Sequence, residues 1–332
     1  MNLCYRVLAI VLLMAGCFTC CAQENTGVPD LIKQGIALNS QKDYTAAIEK
    51  YKAALTTEPD NTQANYQMAF TLFTMGKNTE AVPFIEKATK GGNTKFTAAA
   101  YSLMGSIYGG MGQTQKSVAA YQNGIKADTA NQRIYYNLGV AYFKGKQYND
   151  AQVSFADAMR HDANDAGSVR MYALAGFHQN KRAEALLGFC RFLTLEPNSP
   201  RSSEAFGNLQ NILHDGALKA EADYKPTAAV KAEAAAQSKA VTKALAGFAT
   251  RRYASEADLL TTQLTAVFKI QPTGTKYPFV DYFNQLAQTD NMPAFARYIS
   301  QSAVPGSAKW MKGNPDKIEA LQSWLTANAV NH

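Results

Sequence analysis

Small and large apolar residues follow one another along residues 28–199 in a pattern that repeats every 34 to 36 residues. Three sets of positions carry it, the second and third lying twelve and sixteen residues after the first. The first set is small: Gly35, Ala69, Gly105, Gly139 and Ala173. The second is small and the third large: Ala47, Ala81, Ser117, Ala151 and Ala185, then Tyr51, Ile85, Tyr121, Phe155 and Phe189. Because small residues let two helices approach and a ring fills the space beside them, the pattern predicts five pairs of packed helices.

Turn-forming residues fall between and after the predicted helices. Three segments separate the two helices of a pair: Gly76-Lys77-Asn78, Gly112-Gln113 and Gly145-Lys146-Gln147. Two segments end a second helix: Glu58-Pro59-Asp60-Asn61 and Glu196-Pro197-Asn198. A helix pair of this length cannot bury its apolar faces alone, so we expect the pairs to stack into an all-α superhelix, or solenoid.

The unit 132–165 resembles a tetratricopeptide repeat. It carries Leu138-Gly139-Val140-Ala141-Tyr142, Tyr148, Ala151-Gln152-Val153-Ser154-Phe155 and Ala158, with Tyr135 in place of the family's tryptophan and Ala163 in place of its closing proline. The resemblance extends to five units over residues 28–199. The fifth is the most divergent, since it has Gly176 where the family usually has a tyrosine. The resemblance to this family implies that the chain folds into helical hairpins and binds other proteins.

The resemblance also implies that a protein or peptide partner binds on the concave face formed by the first helix of each pair. We predict a groove lined by Ile32, Ile36, Tyr66, Phe70, Phe73, Arg133, Tyr136, Val140, Phe143, Arg170 and Phe177. This aromatic and aliphatic surface favours an apolar helix or strand as the partner. One subgroup of the family binds a C-terminal carboxylate with lysine, asparagine and arginine at fixed positions of the groove. No three consecutive units of this sequence have those residues at the corresponding positions. Two alternatives stay open: these side chains belong to the core, or the C-terminal half of the chain covers them.

Residues 1–22 have the layout of an export signal peptide. Arg6 precedes an apolar core from Val7 to Gly16, and small residues follow. Cleavage after Ala22 would give a periplasmic or secreted protein. Alternatively, Met14-Ala15-Gly16-Cys17 resembles a bacterial lipobox, in which Cys17 is acylated and the protein becomes a membrane-anchored lipoprotein. We therefore expect an exported protein, with a membrane tether only if Cys17 is lipidated.

The remainder of the chain is predicted to be helical. Residues 200–216 form a helix that caps the repeats. Residues 217–254 are rich in alanine and lysine and form a connecting helix, read either as a solvated connector or as a basic helix that touches anionic lipid. Residues 255–332 form a smaller helical C-terminal domain, with helix starts at Ser255 and at Asn314-Pro315.

The composition of the chain and its motifs exclude several classes of function. With 47% hydrophobic and 18% charged residues the chain is neither disordered nor a solvated coiled coil, and its net charge of +7 is spread too evenly to form a nucleic-acid surface. The histidines are isolated, and no cofactor or metal motif occurs. Cys190, the one cysteine beyond the leader, is expected to be a buried apolar residue. We expect no enzymatic activity and no cofactor, but a protein-binding scaffold of the bacterial envelope, or alternatively a lipid-anchored structural component of an envelope complex.

Overall fold

The computed structural model describes residues 27–91, 94–214, 224–248, 250–271 and 278–329. Every regular element in these ranges is a helix, which confirms the all-α prediction. The predicted leader, including Cys17, and the predicted helix stop at Gly216 lie outside the described residues. The chain divides into two compact units, residues 1–97 and 98–332, which we call unit 1 and unit 2.

Unit 1 contains two helical hairpins. The first consists of α1 (Val28–Ser40) and α2 (Tyr44–Thr57), and the second of α3 (Thr62–Thr74) and α4 (Asn78–Ala88). Asp43 and Asn61 precede α2 and α3, and each side chain accepts a hydrogen bond from the backbone N–H three residues later, which satisfies a donor that the helix leaves unpaired. The hairpins meet around a core of Val28, Ile32, Ala54 and Ala64.

Three further hairpins and one helix follow. They are α5 (Thr94–Gly110) with α6 (Thr114–Ala127), α7 (Gln132–Lys144) with α8 (Tyr148–His161), α9 (Ala166–His178) with α10 (Arg182–Leu195), and then α11 (Pro200–Leu213). Ser199 begins α11 with a reciprocal capping box to Ser202. The five hairpins occupy the five units that the sequence pattern predicts.

The glycines of the repeat lie directly beneath aromatic rings. A Cβ atom at Gly105 would be 2.6 Å from the ring of Tyr121, and Gly35 lies equally tightly against Tyr51. In the second hairpin the large residue is Ile85, which is narrower than a ring, and the facing residue is Ala69. Gly35, Gly105 and Gly139 therefore each lie against the ring sixteen positions later, whereas the fifth hairpin combines Phe189 with Ala173, whose Cβ packs against Gly188.

The hairpin turns use the same backbone conformation in all five repeats. Each turn has one residue with a positive φ, and these residues follow one another at the spacing of the repeats: Lys42, Gly76, Gly112, Lys146 and Asn180. Glycine adopts this conformation without strain, whereas lysine does so at a cost. Within the predicted turn segment Gly145-Lys146-Gln147, the left-handed residue is Lys146, because Gly145 still ends α7 with a negative φ.

Six more helices follow the repeats. They are α12 (Ala228–Leu245), α13 (Glu256–Lys269), α14 (Val280–Leu286), α15 (Met292–Ile299), α16 (Ser307–Gly313) and α17 (Pro315–Ala327). Ser255 caps α13 as predicted, accepting from the Asp258 N–H and donating to its carboxylate. Asn314 precedes α17 as predicted, but its side chain donates to the Trp310 carbonyl, so it closes α16, a helix that the sequence analysis did not identify.

Helix α10 is the centre of unit 2. It packs against α9, α11, α12 and α15, and every residue from Arg182 to Leu193 is buried. Cys190 lies in this segment with no exposure, and burial raises the pKa of its thiol, in line with its expected role as a buried apolar residue. The helices after the repeats thus share one core with the fifth hairpin.

Candidate partner-binding surface

In unit 1, the predicted groove residues of α3 form a strip on one face of that helix. Tyr66, Phe70 and Phe73 are four and three residues apart, which places them side by side, and Phe70 is 37% exposed. The Tyr66 ring stacks on Phe70 at 6.4 Å and meets Phe96 edge-on at 6.4 Å. Burial raises the pKa of Tyr66. We call Tyr66, Phe70 and Phe73 the unit 1 strip.

The two groove residues predicted on α1 differ in accessibility. Ile32 is 3% exposed and belongs to the core of unit 1, so it packs α1 against the rest of the unit. Ile36 is half-buried at the edge of the same core. Of these two residues, Ile36 is therefore partly accessible to a partner, whereas Ile32 is not.

In unit 2, α7 presents a comparable strip. Tyr136, Val140 and Phe143 share one face of α7 and are half-buried, while Ile134 and Leu138 on the other face are buried. The Tyr136 ring lies 5.7 Å from that of Phe155, which anchors the strip to the core. We call Tyr136, Val140 and Phe143 the unit 2 strip.

The end of the unit 2 strip joins an aromatic cluster at the hairpin turns. Phe143 meets Tyr148 at 5.1 Å and His178 at 5.3 Å, both edge-on. His178 stacks flat on Tyr148 at 4.7 Å, and Tyr224 covers Tyr148 from the segment before α12. Burial raises the pKa of Tyr224 to about 12. Phe143 is thus held by neighbours on one side, and only part of its ring is available to a partner.

The remaining predicted groove residues of unit 2 have different surroundings. Arg133 is exposed at the start of α7. Arg170 donates to Glu204 of α11 at 2.6 Å, so its charge is already paired. Phe177 is 9% exposed and packs edge-on against Phe189 of the core. Among these three side chains, Arg133 is the one most open to a partner.

A buried polar network joins the fourth and fifth hairpins to α12. The Glu184 carboxylate accepts hydrogen bonds from Tyr172 (2.6 Å), Gln152 (2.8 Å) and Gln237 (2.5 Å). Gln237 also accepts from the Glu184 backbone N–H at 3.1 Å. Burial raises the pKa of Glu184, against the opposing effect of nearby Lys181. The network attaches α12 to α10, away from the unit 2 strip on α7.

This network explains the unusual glycine of the fifth repeat. A Cβ atom at Gly176 would be 3.0 Å from Nε2 of Gln152, so a larger side chain would displace that amide. Gln152 in turn accepts from Gln179 at 2.9 Å. The sequence pattern marks Gly176 as divergent but does not reveal these glutamine contacts, because Gln152 and Gln237 lie 32 and 53 residues from their shared partner Glu184.

Other features of the described residues add little chemistry. These ranges contain no group of three or more histidine, cysteine, aspartate or glutamate residues placed to hold a metal ion. None of the helices described is long and apolar enough to cross a bilayer. A cavity of about 150 Å³ between α11 and α13 has Gln210 and Glu256 in its wall, and these two already bond to each other at 2.8 Å.

Comparison with known families identifies the hairpins. Two sequence models of the tetratricopeptide repeat match, one over residues 38–107 and the other over residues 102–166. Residues 38–166 consist of tetratricopeptide repeats. The hairpin of α9 and α10 begins where the second match ends, and it consists of a helix of 13 residues followed by one of 14.

Two curated proteins are similar over the repeats. Tetratricopeptide repeat protein 6 of Homo sapiens is 29% identical over 131 residues, which cover 40% of this chain and 25% of that protein. Small glutamine-rich tetratricopeptide repeat-containing protein 2 of Mycosarcoma maydis is 30% identical over 137 residues, covering 41% and 36%. The chain thus spans only a quarter to about a third of these relatives.

Solved structures with similar folds include three repeat proteins. YrrB, described as a TPR protein with an unusual peptide-binding site, is 18% identical, with 61% of this chain and 98% of that one covered and a TM-score of 0.47. MamA 41-end from Desulfovibrio magneticus RS-1 is 24% identical, with 43% and 79% covered and a TM-score of 0.40. The first TPR of Spaghetti (RPAP3), bound to an HSP90 peptide, is 26% identical, with 36% and 91% covered and a TM-score of 0.34.

Proposed function

We propose that this protein is a non-enzymatic scaffold of the bacterial cell envelope that binds a partner protein or peptide through the first helices of its tetratricopeptide repeats. The tetratricopeptide repeat is typically a protein-interaction module, which supports the class of function. The envelope assignment rests on the predicted export signal in residues 1–22.

One observation carries the proposal. Both units present a strip of adjacent apolar side chains that their own packing leaves half-exposed, with Phe70 open in unit 1 and Val140 partly open in unit 2. Aromatic and aliphatic side chains held rigidly on helices provide the anchors that dominate binding energy at protein interfaces. An apolar helix or extended segment is the partner that such strips fit.

The C-terminal helices support an open surface. In the described part of the chain, α12 and α15 pack on α10, and Glu184, Lys181 and Arg182 provide the polar contacts to α12. These contacts lie on the second helix of the fifth hairpin, whereas the strips lie on first helices. Tyr224 packs on Tyr148 beside Phe143 at one end of the unit 2 strip. Apart from that end, this arrangement favours a partner-binding surface on α7 over the alternative in which the chain covers its own groove.

The test is quantitative capture of partners by chemical crosslinking in the cells that produce the protein. Phe70→Ser removes the exposed anchor of unit 1, and Val140→Ser does the same in unit 2. Because truncating an anchor residue costs about 2 kcal/mol or more, we expect recovery of the bound partner to fall on the order of tenfold or more for at least one variant.

Val153→Ser is the matched control. Val153 is 55% exposed on α8, outside both strips, so its substitution removes the same kind of apolar surface without touching the proposed site. Circular dichroism should show unchanged helicity in all three variants. Equal recovery from the strip variants and from Val153→Ser would contradict the proposal.

The second candidate is a lipid-anchored structural component of an envelope complex, favoured by the lipobox-like segment that ends at Cys17. Mass spectrometry of the mature N-terminus distinguishes the two routes. A chain beginning at Gln23 supports the scaffold without an anchor, and a diacylglyceryl group on Cys17 supports the anchored form.

A further inference from the structure

The orientation of α12 is determined by its contacts with α10. Val230, Ala234, Gln237 and Val241 are buried at intervals of four, three and four residues, which defines one face of the helix. Gln237 bonds to Glu184, as described above. Ser238 adds a hydrogen bond to the carbonyl of Asn180 at 3.1 Å. The opposite face of α12 therefore has a defined direction, toward solvent.

That outward face carries only basic and small residues. Lys231, Lys239 and Lys243 are exposed, and the positions between them include the exposed residues Ala235 and Ala236. The three lysines lie eight and four residues apart, so they share one side of the helix and span about 18 Å. We call Lys231, Lys239 and Lys243 the lysine stripe.

No acidic side chain neutralises the lysine stripe from its own helix. The single carboxylate of α12 is Glu233, which lies on the docking side and pairs with the buried Lys181 at 2.9 Å. Three more cations flank the helix in the sequence and are also exposed: Lys225, Arg251 and Arg252. In the described ranges, none of these six cations forms an ion pair with a carboxylate. Among the residues that the structure describes, the one carboxylate of α12 is thus used for docking, and the lysine stripe forms no ion pair with a carboxylate.

The composition of this face indicates what it binds. Lysine and alanine are both depleted at protein–protein interfaces, which rely on aromatic residues and arginine as anchors. Bilayers with anionic headgroups attract clustered lysines by charge alone and require no anchor side chain. The lysines spread over about 120° of the exposed side of α12 and are separated by alanines, which matches an extended anionic surface better than a shaped protein pocket.

We propose that the lysine stripe of α12 is a contact site for a membrane surface that contains anionic lipid. The contact is electrostatic and peripheral, because the apolar side of α12 is already packed on α10 and cannot insert into the bilayer. The lysine stripe lies on a different helix from the unit 1 and unit 2 strips, which are on α3 and α7. The inference is independent of the proposed partner binding.

The experiment is co-sedimentation of the full chain with vesicles at low and high salt. One vesicle type is pure phosphatidylcholine, and the other contains 30% phosphatidylglycerol. We expect binding only to the anionic vesicles, weakened at high salt by screening. The triple variant K231Q/K239Q/K243Q should lower the partition coefficient about fivefold for each lysine, on the order of a hundredfold in total.

The matched control removes the same charge elsewhere. K33Q/K126Q/K269Q replaces three lysines that are equally exposed but lie on other helices. It should retain most of the binding. An equal loss in both triple variants, binding to phosphatidylcholine alone that the stripe variant leaves unchanged, or no sedimentation of the native chain would each overturn the proposal. Binding of the stripe to polyglutamate but not to anionic vesicles would overturn it in favour of an acidic protein.

Discussion

The ring of Phe155 occupies the space that a Cβ atom on residue 139 would need. A Cβ atom at Gly139 would be 2.6 Å from Cε1 of that ring, closer than carbon atoms approach in proteins. The second hairpin reaches the same packing with a different pair, Ala69 and Ile85. In the first, third and fourth hairpins a glycine thus lies against a ring, whereas the fifth hairpin has Ala173 and Phe189 at these two positions.

Gly139→Ala is therefore expected to destabilise unit 2. The added methyl group must displace a buried ring, which costs about 1–3 kcal/mol of unfolding free energy despite the better helix propensity of alanine. Urea unfolding followed by circular dichroism measures the change.

Two further variants test the cause of that loss. In the double variant Gly139→Ala with Phe155→Ile, which copies the second hairpin, the cost of the added methyl should be smaller than in the native background. Gly207→Ala on α11, where a Cβ would meet nothing within 4 Å, should be neutral or stabilising. A similar loss at both glycines would refute the packing explanation.

The left-handed turn residues predict a stabilising substitution. Lys42 has a φ of 65°, a conformation that costs a non-glycine residue about 1–2 kcal/mol. Lys42→Gly should raise the free energy of unfolding of unit 1 by up to about 1 kcal/mol, since part of the gain is offset by the freedom of glycine in the unfolded chain. Gly76→Ala, the reverse change at the equivalent turn, should lower it by a similar amount. Thermal unfolding of both variants decides the sign.

Gln237 is predicted to be essential for the attachment of α12. Gln237→Ala leaves one oxygen of the buried Glu184 carboxylate without its donor, which costs about 1–3 kcal/mol. Lys239→Ala, two residues away on the exposed face, should change stability by less than about 0.5 kcal/mol.

A double-mutant cycle with Glu184→Ala checks this assignment by urea unfolding. The two substitutions should be less costly together than the sum of their separate effects, because they remove the two sides of one interaction. Simple additivity would show that Gln237 acts through something other than Glu184.

The ion pair between Asp258 and Arg297 is expected to stabilise the fold less at acidic pH. Asp258 accepts from Arg297 at 2.6 Å, and this hydrogen bond, with a second from Ser255, lowers the pKa of the Asp258 carboxyl. Arg297 also stacks on Trp310 at 4.4 Å. A carboxyl with a lowered folded pKa stabilises the fold above its unfolded pKa, and this contribution disappears as the pH falls through the folded pKa.

Asp258→Asn should therefore reduce stability at neutral pH and have a smaller effect as the pH falls below 3.8, the ordinary value for aspartate. Thermal unfolding at a series of pH values from 7 to about 2 measures the difference between the native chain and the variant. A difference that grows on acidification would contradict this assignment.

Much of the repeat architecture could be predicted from local sequence. The spacing of Gly139 and Phe155 predicts where the two helices of a hairpin cross, and Ser255 predicts where α13 begins. Both features could be predicted because they depend on residues that are close in the chain. Exposure within the predicted groove could not be predicted. Ile36 and Phe70 occupy equivalent positions of their repeats, yet the first is half-buried and the second is exposed.

The sequence by itself determined that residues 28–199 fold into helical hairpins, of which residues 38–166 match the tetratricopeptide repeat, since the size and turn signals recur at fixed intervals and act over short stretches of the chain. Only the tertiary structure showed that other helices pack around α10, and that Lys181, Arg182 and Glu184 are therefore buried rather than exposed. Their partners Glu233, Thr242 and Gln237 lie more than 50 residues further along the chain. Such contacts depend on how distant helices pack, which no local pattern encodes.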